Sequence, residues 1–400
     1  MHLAIVSPYP PSITGVGQYG YHISRMLAQS GIFHRVTVLA GAANGHKLPQ
    51  AATTLRVNYP WRLDHLNAGW AIASHLRQIN PDIVWFNLGV SAFGRSPLAN
   101  LSGFLGSALG RFMGLPTVVT LHELIELTDL RALHAPGGKF ALLGARLLTS
   151  IATRADVVCL TLRHYVDWLS AQHQDLQCIH IPIGAYHTSH PLPESNNQEL
   201  LFFSTLAPFK GIEILLEAFR LLSSIYPDLQ LTVAGAEHRR FPGYVNMLRQ
   251  KFASISNVRW LRQVPEDNVQ ELFEHAQIVI LPYTASTGSS SVLYQAAMWG
   301  RPVVASDLPE IRSAVTESRL QVKFFQTGSI ENLASAIRSM LNGPSLRKDQ
   351  IMHNCQAIER VRPDETCRLY LQAFNLALER HRSSKRIAIP TAMRESVDAA

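Results

Sequence analysis

Short apolar runs alternate with amphipathic stretches along most of the chain. Nearly uninterrupted apolar runs, which are typical of strands buried on both faces, occupy residues 2–7, 116–121, 200–204 and 278–282. Apolar residues at helical spacing occupy residues 18–29, 212–222 and 292–299. Strands that alternate with helices predict an α/β fold with parallel sheets, in which ligands bind at the carboxyl ends of the strands.

The length of the chain predicts more than one domain. At 400 residues it exceeds the roughly 250 to 300 residues at which single cores stop growing. The periodic pattern is interrupted most clearly at residues 182–198, where Pro, His, Ser and Asn dominate. We therefore expect a first domain over residues 1–184 and a second over residues 198–362, with a disordered tail at 383–400.

A hydroxyl-rich segment with one glycine, Ser286–Ser291, joins the strand-like run 278–282 to the helix-like run 292–299. Gly288 allows the main chain to approach a ligand closely, and the first turn of the helix offers unpaired N–H groups and the positive end of its dipole. The segment therefore predicts an anion site suited to a phosphate. An ordinary serine-rich helix cap is the alternative.

A second phosphate-compatible turn lies upstream, where Lys210-Gly211 stands between the strand-like run 200–204 and the helix-like run 212–222. A lysine in this position is a movable point charge with three donors. It suits a diphosphate that gains negative charge as a bond breaks. A solvated surface lysine is the alternative.

The first strand-like run leads into a proline-rich loop that contains Gly15 and Gly17. Both glycines allow close approach of the backbone to a ligand. A dinucleotide-binding fingerprint is not favoured, because its third glycine would fall at Gly20 and the prolines do not suit its tight turn. The segment leaves ligand contact and simple turn chemistry open.

Together, in this order and spacing, these motifs resemble glycosyltransferase family 4, whose members have the GT-B fold of two facing Rossmann-like domains with a cleft between them. The resemblance is strongest over residues 202–219 and 277–308, which include Pro282-Tyr283, Ala296-Ala297 and the Gly300–Ser306 segment. It implies retaining transfer of a sugar from a nucleotide diphosphate to an acceptor hydroxyl. It also implies that the helix-like stretch 363–382 crosses back onto the first domain.

The resemblance assigns roles to individual residues. The donor diphosphate is expected to lie against Gly15, Val16, Gly17, Thr205, Lys210, Gly288, Ser289, Ser290, Ser291 and Val292. The donor sugar is expected to contact His122 and Thr287, and the nucleoside Gln263, Val264 and Gln295. His122 and Lys210 are the expected catalytic residues. Weaker candidates are Glu123, Glu126, Gly235 and Arg262.

Three positions depart from the family pattern. Thr205 stands where relatives carry an arginine, and Thr287 and Gln295 stand where they carry glutamates. We hypothesise that Arg262 restores positive potential in the cleft; a solvent-facing arginine is the alternative. Because three charged residues of the family pattern are missing, a catalytically silent protein that binds a partner is an alternative function. An epimerase or a phosphorylase of the same fold is less favoured, since the chain shows no convincing acid/base carboxylates or Schiff-base lysine for them.

The chain contains no Asp-x-Asp motif, which predicts donor binding without a metal or other cofactor. Its four cysteines show no C-x-x-C spacing and are typical of a reduced, cytoplasmic protein. Met1 leads directly into a strand, so no secretory signal is expected. Arginines interrupt the apolar stretches 96–119 and 140–160, and neither is expected to span a membrane.

The net charge of +7 and the pI near 9.3 are compatible with peripheral binding to an anionic membrane, as an enzyme of polysaccharide biosynthesis acting on a glycan or lipid-linked glycan would need. An apolar face edged by arginine is offered by Leu98, Leu101, Phe104, Leu105, Leu109, Arg111, Phe112 and Met113. Packing of these residues on the sheet is the alternative.

Nucleic acid is not an expected partner, because no aromatic-interleaved basic stripe occurs. Acceptor choice is expected from the loops 9–14, 87–95 and 128–139.

Overall fold

The computed structural model describes residues 1–11, 14–42, 54–134, 138–195, 197–262 and 264–388. These residues form two parallel β-sheets, each flanked by helices. A connecting segment joins the two domains, and a long C-terminal helix begins after the second one.

The first domain is built on a seven-stranded parallel sheet. Its strands are β1 (His2–Val6), β2 (Arg35–Ala42), β3 (Leu55–Arg62), β4 (Ile83–Leu88), β5 (Thr117–Leu121), β6 (Val157–Leu160) and β7 (Cys178–His180). Its helices are α1 (Gly15–Gln29), α2 (Ala68–Ile79), α3 (Pro97–Phe112), α4 (Gly138–Ala152) and α5 (Arg163–Gln172). The strand order is β3-β2-β1-β4-β5-β6-β7.

The second domain contains a six-stranded parallel sheet of order β10-β9-β8-β11-β12-β13. Its strands are β8 (Glu199–Phe203), β9 (Gln230–Ala234), β10 (Val258–Leu261), β11 (Ile278–Leu281), β12 (Val303–Ser306) and β13 (Lys323–Phe325). Its helices are α6 (Ile212–Ser223), α7 (Tyr244–Lys251), α8 (Val269–His275), α9 (Ser291–Met298), α10 (Pro309–Glu317), α11 (Ile330–Leu341) and α12 (Pro344–Ile358). The final helix is α13 (Pro363–Ala388).

The order of strands brings the predicted ligand loops together. In the first sheet β1 lies beside β4, and β4 beside β5, so the loops that follow these strands are neighbours. In the second sheet β8 lies beside β11, which makes the turn at Lys210 a neighbour of the serine-rich segment. Each set lies where the strand order reverses direction, which is the usual ligand position in open parallel sheets.

Helix α13 packs back onto the first domain. The Tyr370 hydroxyl is 2.8 Å from the Tyr19 hydroxyl and 3.0 Å from Thr120 Oγ1. The helix continues to Ala388, beyond the end at residue 382 that the sequence pattern predicts, and so includes the start of the expected disordered tail. The residues of that tail after Ala388 lie outside the described part of the chain.

The connecting segment is attached to the second domain by a buried arginine. The guanidinium of Arg301, which is 1% exposed, donates hydrogen bonds to the carbonyl oxygens of Leu192 (3.2 Å) and Pro193 (2.9 Å). At its other end the segment contacts the start of the return crossing, where the Ala185 N–H donates to the Val361 carbonyl at 2.9 Å. The buried charge of Arg301 is tolerated because several backbone carbonyl oxygens accept hydrogen bonds from its guanidinium.

The α/β architecture predicted from the alternating pattern is confirmed. Helix α1 differs from the prediction because it begins at Gly15 rather than at residue 18. Thr14 caps it, its hydroxyl accepting a 3.0 Å hydrogen bond from the Gly17 N–H. The two glycines therefore lie in the first helical turn instead of in the preceding loop. Within the described ranges, no helix combines the length and the apolar character that crossing a bilayer requires.

Candidate functional site

The turn after β8 places Lys210 beside the turn after β11. The Lys210 ammonium lies 3.7 Å from the centroid of the Tyr283 ring. Gly211 has a φ of 68°, and a Cβ at this position would collide with the Pro282 carbonyl oxygen. The glycine therefore permits the close contact between the two turns that holds Lys210 in place.

Tyr283 connects the lysine to the serine-rich segment. Its ring is 1% exposed, and its hydroxyl lies 3.3 Å from both Ser204 Oγ and Ser290 Oγ. A cation over an aromatic face is attracted by the ring quadrupole, so Tyr283 holds the ammonium over its ring while its hydroxyl contacts Ser290, directly before α9. Sequence reasoning gave this residue no role. The available signal was an aromatic residue two positions after a buried strand.

The first turn of α9 has free capacity for an anion. Ser290 is the N-cap residue, but its side chain accepts no hydrogen bond from the helix. The preceding turn is closed instead by Ser286, whose hydroxyl donates to the Gly288 carbonyl at 2.7 Å. The N–H groups of Ser291 and Val292 belong to the first helical turn, where no intrahelical acceptor exists. A phosphate group fits this arrangement.

Asn87 organises the corresponding edge of the first sheet. Its amide nitrogen donates to the Val16 carbonyl at 3.0 Å and to Ser7 Oγ at 2.9 Å. Since the amide nitrogen has these two acceptors, the amide oxygen faces His122, whose Nε2 is 2.6 Å away. Asn87 therefore links the first turn of α1 to the predicted catalytic histidine. The sequence analysis placed Asn87 only at the start of an expected acceptor loop and gave it no role beside His122.

His122 is buried and uncharged. Burial lowers the pKa of its imidazole from 6.5 to about 3. Because Asn87 presents an oxygen, His122 carries its proton on Nε2 and leaves Nδ1 as an acceptor. The edge of the histidine contacts the Tyr19 ring at a centroid distance of 4.8 Å. The imidazole is thus held in one tautomer and one orientation.

The serine-rich segment contacts the first domain directly. Thr287 Oγ1 donates to Glu123 Oε1 at 3.0 Å, and the Tyr165 hydroxyl donates to the Thr287 carbonyl at 2.8 Å. A Cβ at position 288 would collide with the His122 carbonyl oxygen, so only glycine permits this approach. The two domains therefore meet at the predicted donor site, and Glu123 is a stronger candidate than the sequence indicated.

The remaining predicted residues lie in loops at the carboxyl ends of strands or in the helix that follows. Thr205 follows β8, Gly235 follows β9, Val264 follows β10, and Gln295 lies in the second turn of α9. Ser289 donates to the Tyr294 hydroxyl at 3.4 Å. Arg262 is exposed and donates a hydrogen bond to Asn246 Oδ1 on α7, and its contribution to the cleft stays a prediction. Gln263 lies outside the described residues.

The apolar face predicted on α3 is only partly exposed. Phe104 packs in the core, and Arg111 forms an ion pair with Asp156 at 3.1 Å. Phe112 is 88% exposed, and Phe140 at the start of α4 is 83% exposed. The other exposed apolar residues of the two helices are Leu98, Leu105, Leu109, Leu143 and Leu147. Helix α4 thus contributes apolar surface that the sequence analysis did not assign.

Comparison with known proteins matches both domains. Residues 14–180 match the family profile described as "Glycosyl transferase 4-like domain", and residues 197–343 match "Glycosyl transferases group 1". The chain belongs to glycosyltransferase family 4. Within this family it is 29% identical over 151 residues to a phosphatidyl-myo-inositol mannosyltransferase of Propionibacterium freudenreichii. That alignment covers 38% of the chain and 36% of the relative, so the chain spans about a third of the length of this protein.

A longer alignment relates this family 4 member to a D-inositol 3-phosphate glycosyltransferase of Arthrobacter sp., with 24% identity over 310 residues and 72% of each chain covered. Among solved structures, HepE of Anabaena in complex with UDP and glucose has a TM-score of 0.71 at 19% identity. That match covers 94% of the chain and 99% of HepE. The predicted GT-B fold is confirmed.

Proposed function

We propose that the chain transfers a sugar from a nucleotide diphosphate donor to an acceptor hydroxyl with retention of anomeric configuration. The observation that carries the proposal is the linked set formed by Lys210, Tyr283 and Ser290, which combines a fixed ammonium with an uncapped helix start. A diphosphate is the leaving group that such a set would stabilise. The UDP complex of HepE agrees with a nucleotide donor.

In this proposal the diphosphate lies between the first turns of α1 and α9, with Lys210 beside it. The bond between the anomeric carbon and the diphosphate oxygen breaks, and the acceptor oxygen bonds to the same face of that carbon. The acceptor proton passes to the departing diphosphate. Most of the rate enhancement then comes from stabilising the negative charge on the leaving group.

The donor sugar would contact residues of both domains. His122 offers an acceptor at Nδ1, while Thr287 and Glu123 form a hydroxyl and carboxylate pair able to exchange hydrogen bonds with sugar hydroxyls. Gln295 would address the ribose and Val264 the base. We propose that the acceptor is a glycan or a lipid-linked glycan; an acceptor carried on a lipid is in keeping with the phosphatidyl-myo-inositol named for one relative.

A panel of nucleotide sugars tests the proposal. Binding should raise the melting temperature, since a ligand at 100 times its Kd stabilises a protein by about 2.7 kcal/mol. NMR of the product formed from the stabilising donor should show the donor's anomeric configuration. An inverted product would contradict retention. Donor binding without transfer or hydrolysis would instead support the catalytically silent alternative.

We also propose that the exposed apolar face of α3 and α4 rests on an anionic membrane. Phe112 and Phe140 are the most exposed aromatic residues there, and the chain carries a net charge of +7. The protein should sediment with vesicles that contain anionic phospholipid more than with purely zwitterionic ones. Replacing both residues, Phe112→Ser with Phe140→Ser, should reduce sedimentation without changing the melting temperature. Equal sedimentation of the variant and the wild type would contradict this contact.

A further inference from the structure

Two histidines and a glutamate from three separate segments converge where the domains meet. His22 lies on α1, His187 lies in the connecting segment, and Glu266 lies in the turn that precedes α8. One possible ligand atom from each residue lies within 4.8 Å of the other two. The closest pair, His22 Nε2 and Glu266 Oε1, is 2.9 Å apart.

We propose that His22, His187 and Glu266 bind a divalent transition-metal ion, with Zn²⁺ as the best fit. Two imidazole nitrogens and one carboxylate oxygen are a donor set that Zn²⁺ accepts, with a fourth position left for water. Ligand atoms in a tetrahedral zinc site are about 3.3 Å apart, given metal–ligand distances of 2.0 to 2.1 Å. To reach this spacing, His22 Nε2 and Glu266 Oε1 would have to separate from 2.9 Å, and the His187 ligand atom, which lies within 4.8 Å of both, would have to adjust to them.

The surroundings already hold part of the site rigid. The His22 ring is 6% exposed and stacks on Tyr186 at a centroid distance of 4.4 Å with an interplanar angle of 11°. His187 is exposed, and its ring contacts that of His22 edge-on at 5.2 Å. The buried histidine therefore supplies a preorganised ligand, while His187 can adjust its position and gives the ion a path from solvent.

Bound metal would link side chains of three parts of the protein directly. Its ligands come from the first domain, the connecting segment and the second domain. Glu266 follows Val264 by two residues, and His22 lies two turns after Gly15, so the ion would sit between the elements proposed to hold the nucleotide. We infer that it stabilises one arrangement of the domains. This site is separate from Lys210 and does not depend on the proposed transfer reaction.

The test uses the full chain without an affinity tag, stripped with EDTA and then freed of it. Calorimetric titration with Zn²⁺ should give one tight site per chain, and Co²⁺ should produce visible absorption bands that Zn²⁺ abolishes. His187→Ala and Glu266→Gln should each weaken Zn²⁺ binding at least about tenfold, the lower limit seen even for loss of a metal's outer partners. Zn²⁺ should raise the melting temperature of the wild type and not of these variants.

His173→Ala is the matched control, because the chain holds 17 histidines and this one is exposed at the end of α5, outside the cluster. It should bind Zn²⁺ as the wild type does. Absence of a tight site in the wild type would overturn the proposal, and so would equal affinities in the wild type and His187→Ala. An equal loss of binding in His173→Ala would assign the metal to scattered surface histidines and would overturn it as well.

Discussion

Thr287 of the second domain donates a 3.0 Å hydrogen bond to Glu123 of the first. Glu123 is also fixed within its own domain, because its other carboxylate oxygen accepts a 2.9 Å hydrogen bond from the Val90 N–H. The carboxylate therefore stands at the proposed sugar position although it belongs to the domain opposite the serine-rich segment.

The pairing of Glu123 with Thr287 predicts a coupled effect on donor use. Glu123→Gln keeps an acceptor but removes the charge, and hydrogen bonds to charged groups contribute about 1.5 to 3 kcal/mol. We expect kcat/KM for the donor to fall at least about tenfold, which corresponds to 1.4 kcal/mol. Steady-state kinetics of Glu123→Gln, Thr287→Val and the double variant measure the coupling. Strictly additive losses would show that the two side chains act separately.

Lys210→Ala should lower kcat by about a hundredfold or more, on the scale of losing one oxyanion donor. Lys251→Ala is the matched control. The Lys251 ammonium also lies over an aromatic ring, 5.1 Å from the centroid of Phe252, but Lys251 is at the end of α7 and is not among the predicted site residues. Its kcat should match the wild type. A near-normal rate for Lys210→Ala would count against the proposed leaving-group stabilisation.

Tyr283 should act on catalysis through Lys210. Tyr283→Phe keeps the ring face under the ammonium and removes only the hydroxyl, so it should retain most activity. Tyr283→Leu removes the ring and should reduce kcat more strongly. The comparison of the two rates, with the melting temperature of each variant, separates positioning of the lysine from general stability. A larger loss in Tyr283→Phe than in Tyr283→Leu would reverse this interpretation.

The buried imidazole of His122 predicts how stability depends on pH. The pKa of this imidazole is about 3 in the folded protein, whereas an unfolded chain has the usual histidine pKa of 6.5. Between pH 3 and pH 6.5 the unfolded chain therefore binds one more proton than the folded protein. Stability should therefore fall as pH decreases from 6.5 towards 3. Denaturant unfolding at pH 7 and pH 5 should show about 2 kcal/mol more loss in the wild type than in His122→Gln. Equal losses would mean that His122 becomes protonated without unfolding.

Turnover should persist in excess EDTA, because the proposed diphosphate site consists of an ammonium and backbone N–H groups. The chain has no Asp-x-Asp motif to hold an ion under the diphosphate. Initial rates with and without EDTA measure this. Removal of an ion from the His187 site should lower the melting temperature while kcat is retained. Complete loss of turnover, restored by Mg²⁺ or Mn²⁺, would contradict metal-independent donor binding.

Sequence patterns predicted the fold well because buried parallel strands require apolar runs. The core strands β8 and β11 coincide with the predicted runs to within one residue at each end. The start of α1 was missed because its first turn contains Gly15 and Gly17, and glycine has a weak preference for helices. The helix begins there all the same, because Thr14 caps it. Helix α13 was predicted too short because its charged final turns carry little apolar signal.

The predicted site was less complete because most of what it lacked is formed by contacts distant in sequence. Asn87 acts on His122 from a neighbouring strand, and Glu123 meets Thr287 across 164 positions of the chain. The spacing of residues along the chain predicts neither the contact between Asn87 and His122 nor the contact between Glu123 and Thr287. The hydrogen bond from Arg262 to Asn246 on α7 is another contact between separate elements that the local sequence does not indicate.

The hydrogen bonds from Arg301 to the connecting segment restrict how the two domains can move relative to each other. They hold Leu192 and Pro193 to the second domain, and the His190 N–H is tied there too by its 3.2 Å hydrogen bond to the Met298 carbonyl. Ala185 is anchored to Val361. Because α13 also returns to the first domain, any rotation of one domain against the other has to turn the backbone at both crossings, at residues 186–189 and just before Pro363. The two crossings start side by side at Ala185 and Val361, so they form a paired hinge whose stiffness sets how far the domains can open.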